Sequence, residues 1–143
     1  MTLSSSTSGN RFFEAVRSPD EMPVSKLAFL GDAVYELLIR EQLVESAEVP
    51  FEKFNDLKQE FVKASAQAEA AKKILPLLTE KEERIYRHGR NAKHKCAPKS
   101  ASLGDYSKAT GFEALLGYLW LSGQKSRIME LARVINNREQ QEG

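Results

Sequence analysis

Residues 27–39 and 111–121 are almost wholly apolar, and they constrain the fold more than any other part of the chain. The first stretch is Leu27-Ala28-Phe29-Leu30-Gly31-Asp32-Ala33-Val34-Tyr35-Glu36-Leu37-Leu38-Ile39, whose only charges are Asp32 and Glu36. The second is Gly111-Phe112-Glu113-Ala114-Leu115-Leu116-Gly117-Tyr118-Leu119-Trp120-Leu121, whose only charge is Glu113. A carboxylate in such surroundings is costly unless it is paired, protonated or bound to a metal. The nearby cations lie outside both runs, so a divalent metal is the natural partner.

Helix signals dominate the rest of the chain, and the class read from them is all-α. Pro23 precedes a helix expected over residues 24–47, with Leu27, Leu30, Val34 and Leu37 at helical spacing. Residues 51–75 read as a second long helix between Pro50 and Pro76, with Phe54, Leu57, Phe61, Ala64 and Ala68 on its stripe. Thr79 and Glu82 form a capping-box pattern that starts a third, ending near Asn91. Residues 92–106, rich in Lys, Ser, Pro and Gly, read as a loop. A fourth long helix is expected over 107–121, stopping at Gly123, a last one over 125–136, and a short one at 11–17.

At 143 residues the chain has room for one self-sufficient core. We expect a single domain over 11–137, a disordered tail over 1–10 and a short C-terminal tail over 138–143. The N-terminal stretch lacks the basic start and apolar block of a signal peptide, and no apolar run approaches the roughly 20 residues that span a bilayer. A lone cysteine, Cys96, excludes an internal disulfide framework and fits a reducing compartment, so a cytoplasmic protein with no membrane partner is expected. The net charge is only +1, yet residues 84–108 hold seven Lys/Arg against the single acid Asp105. Such a concentration points to a polyanionic partner.

Asp32 and Glu36 are four residues apart and share a helix face. Glu113 shares its face with Ala109, Thr110, Gly117 and Trp120. Alanine and glycine around a glutamate let another helix approach closely, so a crossing there would bring Asp32 and Glu113 face to face. Two hard oxygen ligands plus waters suit Mg²⁺, which could generate a nucleophile and stabilise charge on a phosphate undergoing displacement. Glu36 is better read as an ion pair with Arg40, four residues on. The run Arg87-His88-Gly89-Arg90-Asn91-Ala92-Lys93-His94-Lys95 has the cations and amides that phosphate contacts need. His88, His94 and Cys96 match no standard zinc spacing and lack a fourth ligand.

Three separated motifs, in order, carry a resemblance. Gly31-Asp32-Ala33 with Glu36, Gly89-Arg90-Asn91-Ala92-Lys93, and the run from Tyr106 through Phe112-Glu113-Ala114-Leu115-Leu116-Gly117-Tyr118-Leu119 resemble the ribonuclease III catalytic domain. They are closest to its reduced branch, Mini-ribonuclease III. The resemblance spans about residues 24–135. It implies the ribonuclease III endonuclease-domain fold in a helical homodimer that cuts double-stranded RNA, leaving 5′-phosphate and 3′-hydroxyl ends. The branch's role is in maturation of precursor large-subunit (23S) ribosomal RNA, with a ribosomal protein as a possible presenter of the substrate. No room is expected for the double-stranded-RNA-binding domain of full-length relatives.

The same resemblance implies residue roles. Asp32 and Glu113 would be catalytic and would bind Mg²⁺. Arg87, Arg90, Asn91, Lys93, Lys95 and Lys99 would hold RNA phosphates. Glu36, Tyr106 and Thr110 would be supporting or structural, and Ser107 would line the site or cap its helix. Phe29, Leu30 and Tyr35 would contribute to the dimer contact. Full-length ribonuclease III has acids where this chain has Ala28 and Thr110. Both substitutions fit the reduced branch and leave a less anionic site. The alternative is a non-catalytic RNA- or ribosome-binding helical module on the same fold.

Overall fold

The computed structural model describes residues 18–92 and 102–137, and all regular structure among them is helical. The helices are α1 (Val24–Glu45), α2 (Phe54–Val62), α3 (Ala64–Ile74), α4 (Glu80–Asn91), α5 (Leu103–Leu121) and α6 (Lys125–Asn136). The tails, the expected helix at 11–17, and Lys93, His94, Lys95, Cys96 and Lys99 lie outside the described residues.

The apolar run of α5 is not one-sided, and a helix that is hydrophobic all round belongs in the centre. Phe112, Ala114, Leu115, Leu116, Tyr118 and Leu119 are all buried. α1 lies along one side of α5, with α4 and α3 along the others, and α6 closes over α3 and the end of α5. Phe112, Leu115, Leu116 and Leu119 meet Ile74, Ile128 and Leu131 in the core. Each such side chain contributes roughly 1.5–3 kcal/mol by leaving water. No helix among the described residues is long and apolar enough to cross a membrane.

A local signal sets the start of α4. Thr79 Oγ1 accepts from the Glu82 amide at 3.1 Å, and Glu82 Oε1 accepts from the Thr79 amide at 2.9 Å, completing the capping box. Glu82 also ties α4 to α6, taking Arg127 Nε at 3.0 Å and Nη2 at 2.9 Å. Burial would raise the Glu82 carboxyl, but the Arg127 and Thr79 bonds bring it below its ordinary range.

Three expectations are corrected. The helix read over 51–75 is a short 3-10 turn at Phe51–Lys53 followed by α2 and α3, broken at Lys63, whose backbone is extended (φ −67°, ψ 157°). α5 begins at Leu103, not Ser107, because Ser102 caps it by accepting the Asp105 amide at 3.0 Å. Tyr35 is not at the surface: it is buried, with its ring edge-to-face on Phe112 at 5.0 Å.

Candidate active site

α1 and α5 cross with their backbones touching, and two glycines allow it. A Cβ on Gly31 would fall inside the carbonyl of Glu113, and one on Gly117 would fall inside the carbonyl of Leu27. The reciprocal Cβ-to-amide distances, 2.9 Å to Gly117 N and 3.1 Å to Gly31 N, show the same absence of room. Asp32 follows Gly31, and Glu113 precedes Gly117 by one turn. The crossing therefore brings the two carboxyls near enough for the negative charge of Asp32 to act on Glu113.

The two acids differ in burial. Glu113 is only partly exposed, whereas Asp32 is exposed, contrary to what its apolar surroundings in the sequence imply. Burial, together with the neighbouring negative charge of Asp32, pushes the Glu113 carboxyl up to about 8, against a lowering hydrogen bond from Gln67. At neutral pH the pair therefore holds a proton unless a cation balances it. Among the described residues no third His, Cys, Asp or Glu joins them in a cluster. A pair of hard oxygens fits a cation that retains most of its waters, such as Mg²⁺, and not one that needs a closed protein shell.

Gln67 is the site neighbour that sequence reading missed. It is 2% exposed on α3, and its Nε2 donates to Glu113 Oε2 at 3.2 Å and to the Val62 carbonyl at 2.8 Å. The available signal was an amide on the apolar face of Ala71 and Ile74, at offsets of four and seven.

Glu36 Oε2 accepts from Arg40 Nη2 at 2.7 Å and lies 3.8 Å from Lys58 Nζ, an ion-paired position on the turn after Asp32. Thr110 Oγ1 donates to the Tyr106 carbonyl at 3.0 Å, so its hydroxyl proton is used within α5. Ser107 is half-buried in the same helix, and Ala28 is buried.

The basic end of α4 packs on α5 at Thr110, Gly111 and Ala114, the residues flanking Glu113 in sequence. A Cβ on Gly89 would lie 2.8 Å from Gly111 Cα and 3.1 Å from the Thr110 carbonyl, so α4 crosses α5 just before Glu113. Arg87 and Asn91 are exposed there, while Arg90 is half-buried. Arg90 lies over the Tyr86 ring at 5.9 Å and donates to Asn91 Oδ1 at 3.2 Å.

Comparison with known proteins follows the same outline. Residues 25–124 match the family model described as the ribonuclease III domain. A Mini-ribonuclease 3 from Symbiobacterium thermophilum is 46% identical over 117 residues, covering 80% of this chain and 88% of the relative. One from Thermoanaerobacter is 47% identical over 105 residues, covering 73% and 74%. A crystal structure of a Fusobacterium nucleatum protein superposes with a TM-score of 0.74 at 28% identity, covering 84% of this chain and 96% of that one.

Proposed function

This chain belongs to the ribonuclease III family, and from that premise we propose that it is a Mg²⁺-dependent endoribonuclease that cuts double-stranded RNA between Asp32 and Glu113. The observation that carries the reading is the glycine-enforced pairing of those two carboxyls at the α1–α5 crossing. A carboxyl pair that holds a proton at neutral pH is poorly suited to support a fold and well suited to receive a cation. When bound, Mg²⁺ would supply Lewis acidity toward the scissile phosphate and offset charge in the transition state.

The chain's own groups supply the rest. Asp32, exposed, is the carboxylate that solvent and substrate reach first, while Glu113, set deeper, closes the site from the helix side. Arg87, Arg90 and Asn91 at the end of α4 would hold phosphates flanking the cut, with Lys93, Lys95 and Lys99 continuing the cationic run in sequence. Attack by water with departure of the 3′ oxygen gives a 5′ phosphate and a 3′ hydroxyl. We propose residues 11–137 as the catalytic unit, acting in the cytoplasm on precursor 23S ribosomal RNA; whether a ribosomal protein presents that substrate is a question for cleavage assays with and without ribosomal proteins.

An exposed apolar strip on α1 supports a homodimer. Phe29, Ala33 and Leu37 recur every four residues along it, and all are exposed, Phe29 at 85%. An apolar strip beside Asp32 is where a second copy would seat, aligning two sites for the two strands. Phe29→Asp is expected to convert a dimer into the 16.1 kDa monomer at micromolar concentration, measured by light scattering. A wild-type monomer under those conditions would contradict the dimer.

The functional test is incubation with an RNA duplex and its single strands. Cleavage of the duplex with Mg²⁺, abolished by EDTA and by Asp32→Asn, is expected. Salt-sensitive duplex binding with no cleavage under any divalent metal would favour the non-catalytic module instead.

A further inference from the structure

We propose that Gln67 is a positioning residue that fixes the carboxylate of Glu113 for cation binding, an inference that rests on the metal-site reading above. Three observations carry it. Gln67 is almost completely buried, and its Nε2 bridges two oxygens: Glu113 Oε2 at 3.2 Å and the Val62 carbonyl at 2.8 Å. Its own Oε1 is buried with no hydrogen-bond partner. The Val62 carbonyl precedes the extended residue Lys63, which breaks the helical ladder between α2 and α3.

The orientation of the amide is locked. Turned over, Gln67 would set Oε1 against the Val62 carbonyl, which can only accept, so the assignment that puts Nε2 there is the one compatible with the neighbours. An orphaned buried acceptor is a cost the fold does not need, since a leucine or methionine would fill the same space without it. The cost is intelligible if the amide proton on Glu113 is what the site requires. A carboxylate free to turn about its last torsion presents no fixed oxygen to a cation, whereas one with Oε2 tied down does. A neutral donor is suited to this task. A lysine or arginine at the same place would neutralise Glu113 and compete with the cation. The break at Lys63 is therefore part of the site, because it frees the carbonyl that holds the other side of the amide.

The test uses the full chain with Gln67→Leu, which keeps volume and removes the donor, and Gln67→Glu, which keeps shape and replaces the donor with an acceptor. Expected are cooperative melting in both, kcat on duplex RNA lowered by about tenfold or more, and KM for RNA unchanged. Mn²⁺ serves as a spectroscopic probe of the same carboxylates. Titration followed by electron paramagnetic resonance should show weaker binding by about tenfold in both variants. Wild-type kcat and wild-type Mn²⁺ affinity in Gln67→Leu would overturn the proposal. Loss of cooperative melting in both variants would also overturn it, by making Gln67 a structural residue. If the wild type binds Mn²⁺ but cuts no duplex RNA, the functional reading fails while the Mn²⁺ arm still decides the role of Gln67.

Discussion

Gly31→Ala is expected to destabilise the fold by at least about 3 kcal/mol, although helix propensity alone would count it as a gain of roughly 1 kcal/mol. The added methyl has nowhere to go: its position coincides with the Glu113 carbonyl, which belongs to a helix and not to a side chain that can turn away. α1 and α5 would have to separate, and the packing around Leu27, Phe112 and Leu116 would separate with them. A domain of this size has only about 5–15 kcal/mol in total, so the loss takes a large share of its stability. Cleavage should fall together with the melting temperature, because the same contact pairs Asp32 with Glu113. Gly104→Ala is the internal control, since a Cβ there meets nothing within 4 Å. It should be neutral or mildly stabilising by thermal melting. A Gly31→Ala protein as stable as Gly104→Ala would refute the crossing.

The second large effect concerns Glu113. Glu113→Gln is expected to abolish detectable cleavage, a loss of about a thousandfold or more, because the proposed charged ligand of the cation is replaced by a neutral one. It is also expected to make the metal-free protein more stable. The carboxyl is raised to about 8 in the fold, from an ordinary value of 4.5. Its protonated form is therefore preferred by the folded state, so its contribution is fully present below about 4.5 and is lost as pH rises through about 8. Stability of the metal-free wild type should decline across that window, and the amide replacement should remove the decline. The gain near pH 8 is on the order of 2 kcal/mol, or roughly 5 °C and upward in melting temperature. Gln67 can still donate to the side-chain oxygen of the replacement, so packing is retained.

Much of this was legible in the chain, and the exceptions have physical causes. The capping box at Thr79–Glu82 and the small residues around Glu113 are local signals. They foretold the start of α4 and the close crossing of α1 and α5. The break at Lys63 has no proline or glycine to announce it. It is held by a side-chain contact spanning five residues, with Gln67 capturing the Val62 carbonyl that a continuous helix would have used. The start of α5 was obscured by a segment whose Lys, Ser, Pro and Gly content outweighed the single Ser102–Asp105 cap. Asp32 was misjudged as buried for a more interesting reason. An apolar stretch looks like core on every side, but Phe29, Ala33 and Leu37 are exposed on α1, and Asp32 stands beside them. Sequence periodicity cannot distinguish a face covered by the same chain from one left open for a partner.

In the proposed function the paired carboxyls burden the fold and serve the chemistry. Measuring Glu113→Gln against wild type tests both halves on one protein: duplex-RNA cleavage with Mg²⁺, and thermal melting without metal from pH 5 to pH 9. The variant is expected to lose cleavage and to melt higher than wild type near pH 8, with the difference shrinking toward pH 5. A variant that cuts RNA at the wild-type rate, or that melts lower than wild type across the whole range, would contradict it.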